Sequence, residues 1–140
     1  MAAKEGQPMR ITLTSVFVDD QRTALDFYTS VLGLEKKHDV PIGENFWLTV
    51  VSQEDPTGPE LLLEPSDHPA VKPFRDALMQ DGIPALTLSV SDIDAEVTRL
   101  SEAGVEFVQA PTDVGAAIIA VLDDTCGNLV MLSQATTAGD

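Results

Sequence analysis

The sequence predicts an α+β fold in which two βαβββ modules form a concave, barrel-like groove of mixed sheet. Three observations predict it. The same order of strand-like and helix-like segments occurs twice along the chain. The aspartates that precede the two helices, Asp20 and Asp92, lie 72 residues apart, and the turn glycines Gly58 and Gly127 lie 69 residues apart. The stretches around those glycines, DPTGPELLLE and DDTCGNLVML, are also alike, since each is a tight turn leading into an apolar strand.

A single domain is predicted over residues 9–134, because 140 residues are enough for one hydrophobic core. We place the first module at about 9–65, a connector at about 66–82 and the second module at about 83–134. Repetition of this kind indicates two copies of one supersecondary unit in one chain.

The first module begins with the β-rich run 11–18, after which Asp19 and Asp20 offer the side-chain oxygens of a helix N-cap. The apolar residues of the helix recur at helical spacing and form one stripe: Ala24, Phe27, Tyr28, Val31 and Leu32. Gly33 stands where helices commonly end on a left-handed residue. Three strand-like runs follow, at 34–40, 45–52 and 60–65.

The second module repeats this order, starting with the strand 85–90. Ser91 is the predicted N-cap of its helix, with Asp94 at the third position as a weak capping box. The apolar stripe of the helix consists of Ile93, Val97 and Leu100. Gly104 ends the helix. Three strand-like runs complete the module, at 105–111, 116–122 and 128–134.

The connector is predicted to contain a short helix. Pro73 suits the first turn of that helix, where its missing N–H costs nothing. Phe74 and Leu78 are four residues apart, and we expect both to face inward.

Composition and charge exclude several classes of function. The chain carries 23 acidic and 8 basic side chains, a net charge of −15, which repels nucleic acids and anionic membranes and attracts cations. The same acidity is also explained by solubility alone. Neither a membrane-spanning apolar run nor the apolar core of a signal peptide is recognisable, so we expect a cytoplasmic protein. The single cysteine, Cys126, excludes an internal disulfide and is interpreted as an inert turn residue rather than a nucleophile.

The paired βαβββ arrangement, with FYTSVLGLE at residues 27–35 and a D-x-x-G-N turn at residues 124–128, resembles the vicinal oxygen chelate superfamily. Glyoxalase I, the bleomycin-resistance proteins, the fosfomycin-resistance enzymes and the extradiol dioxygenases belong to it. The resemblance covers about residues 9–134 and implies the fold more specifically than the activity, because one fold hosts several chemistries.

The resemblance also indicates where a metal ion would be bound. Metal-using members carry ligands seven residues before each helix-capping aspartate and four residues after each turn glycine. Those positions are occupied here by Leu13, Ala85, Leu62 and Met131. None of them offers an imidazole or an anionic oxygen, and a thioether alone does not hold Mn, Ni, Zn or Fe(II). We therefore expect no metal ion and no cofactor.

Strand alternation predicts which other side chains share the concave face with those four positions. The predicted ligand-binding groove consists of Leu13, Ser15, Phe17, Trp47, Glu60, Leu62, Glu64, His68, Ala85, Thr87 and Met131. It is an apolar lining with one aromatic plane and two carboxylates, which is typical of a small-molecule pocket. No residue is assigned a catalytic role.

Each of these features also has a simpler interpretation. Trp47 suits the core as well as a stacking surface, and Glu60 and Glu64 suit a solvated rim as well as a cation site. His68 lies in the proline-flanked stretch SDHPA, either across the mouth of the groove or simply on the surface, and His38 is expected on an exposed edge strand.

Three functions are compatible with this pattern. The favoured one is a metal-independent protein that binds a cationic or aromatic small molecule, as the bleomycin-resistance branch does. An enzyme similar to glyoxalases or dioxygenases would need a non-standard site, with Glu64 or His68 as the base. A non-catalytic interaction module would have its groove filled by its own side chains. The resemblance further implies a homodimer.

Overall fold

The computed structural model describes residues 8–136 of the chain. The first module contains β1 (Leu13–Val18), α1 (Gln21–Asp26), β2 (Glu35–Ile42), β3 (Asn45–Val51) and β4 (Glu60–Pro65), and α1 continues into a π-helical segment (Phe27–Val31). The connector contains α2 (Val71–Gln80). The second module contains β5 (Leu86–Ser89), α3 (Ile93–Glu102), β6 (Phe107–Asp113), β7 (Ala117–Asp123) and β8 (Leu129–Ala135). The predicted α+β class and the two βαβββ modules are confirmed.

The strands form two four-stranded mixed sheets, in the orders β1-β4-β3-β2 and β5-β8-β7-β6. In each sheet the first strand runs parallel to the last strand of its module, and the remaining pairs are antiparallel. The expected barrel-like closure was wrong, because β1 and β5 are both edge strands and no hydrogen-bonded ladder joins them. The described structure therefore has two four-stranded sheets that are not closed into a barrel, where the sequence predicted one barrel-like groove.

One hydrophobic core fills the space between the sheets and their helices. From the first module it takes Val16 and Val18 of β1 and Leu61 and Leu63 of β4, which alternate with residues on the opposite face of the sheet. From the second module it includes, among others, Ile93, Leu100, Ala120, Leu122, Val130 and Leu132. Both modules therefore contribute side chains to the same hydrophobic cluster.

The two helix starts are capped by equivalent aspartates. Asp20 accepts a hydrogen bond from the backbone N–H of Thr23, and Asp92 accepts one from Ala95. The prediction of Ser91 as N-cap was wrong, since Asp92 is the residue with extended backbone directly before the helix.

The connector helix faces the body with different residues from those predicted. Pro73 does lie in the first turn of α2, but Phe74 is 58% exposed, so its predicted inward orientation was wrong. Val71 and Arg75 are the buried residues of this helix. Their spacing of four residues defines the inward face of the helix. Leu78 and Met79, which are half-buried, extend this face by one turn.

Candidate functional site

The outer face of the first sheet, opposite α1, carries most of the residues predicted for the groove. Phe17 lies opposite Glu64 on the neighbouring strand, and Trp47 lies opposite Val40. Strands β3 and β4 pair Thr49 with Leu62, and Trp47 and Glu64 each lie two residues from this pair, so by alternation they face the same side of the sheet. Phe17, Glu64, Trp47 and Val40 therefore share the outer face of the sheet and form a single group. We call it the Glu64 row.

The Glu64 row is accessible. Phe17, Trp47 and Glu64 are each partly exposed, and Val40 at the end of the row is 49% exposed. The ion pairs on this face go to another carboxylate, so within residues 8–136 Glu64 has no ion-pair partner. On such a face the carboxylate can attract a cation while the aromatic side chains offer their rings for stacking.

Glu60 lies on the same face as predicted but in a different electrostatic setting. Lys37 Nζ lies 3.7 Å and His38 Nε2 lies 3.6 Å from its carboxylate oxygens. A β-bulge between Lys36 and His38 turns the side chains of the consecutive residues Lys37 and His38 toward Glu60. Its negative charge is therefore balanced within the chain, and His38 is exposed as predicted.

The remaining first-module positions differ in exposure. Leu62 is buried between Ser15 on β1 and Thr49 on β3, whereas Leu13 and Ser15 at the sheet edge are exposed. Leu62 thus forms the floor of this face and does not contact solvent.

The second-module positions lie on the other sheet. Thr87 is exposed opposite the half-buried Met131, and Ala85 precedes β5, with its N–H donating to the carbonyl of Leu129. Ala85 lines a crevice of about 10 Å³ and Glu60 a separate one of about 80 Å³. The structure therefore divides the predicted groove residues between two sheet faces.

His68 is exposed at the start of the connector. Its Nδ1 accepts a hydrogen bond from the backbone N–H of Ala70 at 3.0 Å. This local contact engages one ring nitrogen in the turn before α2, and among residues 8–136 the imidazole forms no hydrogen bond or ion pair with the Glu64 row.

Arg75 was not predicted, although it organises the end of the first sheet that carries Phe17. Its guanidinium donates to the carbonyl oxygens of Cys126 (2.9 Å) and Phe17 (3.3 Å) and forms an ion pair with Asp19. Asn128 also donates to the Phe17 carbonyl, at 2.8 Å. The helical spacing from Val71 was the only sequence signal for an inward Arg75.

A buried network joins the two modules behind the Glu64 row. The Tyr28 hydroxyl donates to the fully buried carboxylate of Asp124 at 2.6 Å, and burial followed by the Asp124 charge raises the Tyr28 pKa. Burial, with a smaller contribution from Asp124, raises the pKa of the Cys126 thiol to about 12. The thiol is therefore protonated at neutral pH, as an inert turn residue should be.

The residues that the structure describes bring together no group of three or more histidine, cysteine, aspartate or glutamate side chains suited to a metal ion. In the same part of the chain, no helix is long and apolar enough to cross a membrane. Whether the protein works without a metal ion stays a prediction.

Comparison with known proteins identifies the family of this chain. The family model described as Glyoxalase/Bleomycin resistance protein/Dioxygenase superfamily matches residues 10–132. The uncharacterized protein YurT of Bacillus subtilis (strain 168) is 51% identical over 126 residues, which are 90% of this chain and 99% of that protein.

Solved structures agree with that assignment. The crystal structure of UcmS2 is 34% identical, with a TM-score of 0.79, over 92% of this chain and 100% of that one. TnmS3, an antibiotic binding protein from Streptomyces sp. CB03234, is 28% identical, with a TM-score of 0.74, over 92% of this chain and 98% of its own.

Proposed function

Because this chain belongs to the glyoxalase, bleomycin resistance protein and dioxygenase superfamily, we propose that it is a metal-independent protein that binds a small cationic aromatic molecule. The observation that carries the proposal is the Glu64 row, in which a carboxylate without an ion-pair partner among residues 8–136 lies opposite Phe17 and on the same sheet face as Trp47. The likeness to TnmS3, described as an antibiotic binding protein, supports binding over catalysis.

Two physical effects favour such a ligand. Aromatic side chains stack on flat rings, and a pair of this kind contributes about 0.5–1.5 kcal/mol beyond the area it buries. The Glu64 carboxylate would pair with the positive charge, while the net charge of −15 would increase the rate of encounter.

The apolar residues around the row support a homodimer. Leu13, Val40 and Ile42 are large apolar side chains that are 42–55% exposed on or beside the outer face of the first sheet. We propose that a second copy of the chain covers part of this surface and leaves Phe17, Trp47 and Glu64 of the Glu64 row accessible. Light scattering at micromolar concentration should give the mass of two chains, and a monomer mass would contradict the dimer.

A cytoplasmic location is also proposed. The only cysteine is buried and has no disulfide partner, so the fold needs no oxidising compartment. Fractionation of the producing cells should recover the protein with cytoplasmic markers, and recovery outside the cytoplasm would contradict this.

Trp47 makes the binding proposal directly testable, because it is the only tryptophan of the chain. Proflavine, a flat three-ring cation, should quench its fluorescence with saturation, whereas the flat three-ring anion anthracene-9-carboxylate should not. Glu64→Gln should weaken proflavine binding about two- to fivefold, the range expected for one exposed charge pair.

The matched control is Glu44→Gln, which removes an exposed glutamate from the β2–β3 turn. Proflavine should bind this variant as it binds the wild type. Equal loss of affinity in both variants would show that only overall charge matters, and unsaturable quenching would contradict a binding site at the Glu64 row.

A further inference from the structure

A large cleft lies away from the Glu64 row, on the helix side of the second sheet where the two modules meet. It has a volume of about 650 Å³, within the range of small-molecule sites. Its walls come from three segments, 32–34, 52–54 and 88–92, together with Glu96, Arg99 and Leu100 of α3 and Leu132 of β8. We call it the junction cleft.

The internal repeat shows that the junction cleft has a filled counterpart. Asp20 and Asp92 cap equivalent helices, so Tyr28 corresponds to Leu100. The strand pairs Thr49–Leu62 and Val121–Met131 are equivalent, so Ser52, three residues beyond Thr49, corresponds to Asp124.

The replaced side chains explain why one junction is closed and the other open. At the closed junction the Tyr28 hydroxyl donates to the buried Asp124 carboxylate, and both residues are fully buried. At the open junction the same positions hold Leu100 and Ser52, which have neither the ring nor the carboxylate. No side chain therefore fills the junction cleft.

Neighbouring residues keep the cleft open. Phe27, buried at the closed junction, corresponds to Arg99, whose guanidinium donates to the Val31 carbonyl at 3.0 Å and to Glu96 at 2.7 Å. Gln53 donates to the Gly33 carbonyl at 2.6 Å. These polar side chains are bound to the rim and do not fill the interior.

The lining indicates the chemistry of an occupant. Four aliphatic side chains of the floor are only half-buried although they pack against the core: Leu32, Leu34, Leu88 and Val90. Arg99 is paired with Glu96, which leaves Glu54 and Asp92 without a salt bridge among residues 8–136. The cleft therefore combines an apolar floor with an excess of negative charge at its rim.

We propose that the junction cleft is a second binding site, specific for an amphipathic amine. The apolar part of the amine lies on the leucine-lined floor, and its ammonium group pairs with Glu54 at the rim. This site shares no residue with the Glu64 row and does not depend on the function proposed for it.

The test is a titration of isotope-labelled protein with n-hexylamine, n-hexanol and n-hexanoate, followed through backbone amide chemical shifts. Hexylamine should shift the amides of 32–34 and 88–92 with saturation, hexanol more weakly, and hexanoate not at all. Trp47 fluorescence should stay unchanged, so this result is independent of the outcome with proflavine. The proposal would be overturned if hexylamine shifted mainly the amides of the Glu64 row, if the shifts did not saturate, or if no amide shifted.

Two variants and a control sharpen the result. Glu54→Gln removes an exposed charge and should weaken hexylamine binding about two- to fivefold, whereas Glu106→Gln, an exposed glutamate elsewhere, should not. Val90→Phe places a ring in the cleft and should abolish binding. Full affinity in a folded Val90→Phe protein, or in Glu54→Gln, would overturn the assignment.

Discussion

Glu60 and Glu64 show that two identical side chains on one face of a strand acquire different roles from their neighbours. Glu60 is balanced by Lys37 and also lies close to His38, whereas Glu64 lies opposite Phe17 without a counter-ion in the described structure. A charge that is already paired gains little from a ligand, while an unpaired one keeps its full attraction. Strand alternation predicted that both face the same way, but it carried no information on the β-bulge that turns Lys37 and His38 toward Glu60.

Cys126 gives a prediction at the same scale. Its pKa is raised to about 12 in the fold, against a value near 9 for an exposed thiol, chiefly by burial. The fold therefore favours the protonated thiol, and the corresponding stability is complete below pH 9 and is lost as the pH rises toward 12. In that window the free energy of unfolding should fall by up to about 1.4 kcal/mol per pH unit from this group.

Denaturant titrations of the wild type and Cys126→Ala between pH 7 and pH 10.5 would measure this. Other alkaline effects, including the titration of Tyr28, are shared by the two proteins and cancel in the difference. The stability advantage of the wild type should shrink above pH 9. Parallel curves over the whole range would contradict a thiol held protonated by burial.

At the scale of elements, Arg75 is the side chain through which α2 is hydrogen-bonded to the rest of the described structure. Arg75 binds carbonyl oxygens on both modules, those of Phe17 and Cys126, and lies over Gly127. A β-carbon at Gly127 would come within 2.6 Å of Arg75 Nη1, and the glycine has a φ of +101°. A glycine is therefore needed at position 127 for two reasons. The backbone has a positive φ, and the Arg75 guanidinium leaves no room for a β-carbon.

Gly127→Ala should destabilise the protein more than Gly104→Ala. Gly104 has a φ of +94° with nothing near its missing β-carbon, so its substitution costs only the left-handed conformation, about 1–2 kcal/mol. The contact with Arg75 should add about 1–3 kcal/mol at Gly127. In an Arg75→Ala background the two glycine variants should lose equal stability in thermal unfolding. A difference that persists there would contradict the contact with Arg75.

The elements were largely predictable from sequence, and the exceptions have physical reasons. Period-two and period-3.6 patterns identified both modules because each strand and helix buries one face. Phe74 was predicted to face inward because it is apolar, yet Arg75 is inside because two carbonyls and Asp19 bind its Nη1 and Nη2 groups, although its buried Nε has no partner in the described structure. No sequence pattern predicted the π-helical segment at Phe27–Val31. One extra residue in a helical turn leaves the spacing of the apolar residues almost unchanged.

At the scale of the whole molecule, the two modules repeat one topology but meet through unequal junctions. The Tyr28–Asp124 pair closes one junction, and its Leu100–Ser52 counterpart leaves the other open. Sequence alone predicted the repeat but placed all candidate residues in a single groove, because the relative placement of two sheets depends on contacts between side chains far apart in the chain. The candidate site is therefore one half of the predicted groove, the Glu64 row.

The most direct test of a metal-independent binding protein is the thermal unfolding of chelator-stripped wild-type protein with separate additions of Mn, Ni, Zn, Co, Fe(II) and proflavine. A ligand at a hundred times its dissociation constant adds about 2.7 kcal/mol of stability, which is several degrees for a domain of this size. We predict that proflavine raises the unfolding temperature and that none of the metal ions does. A rise with a metal ion and none with proflavine would contradict the proposed function and indicate a metal-dependent enzyme instead.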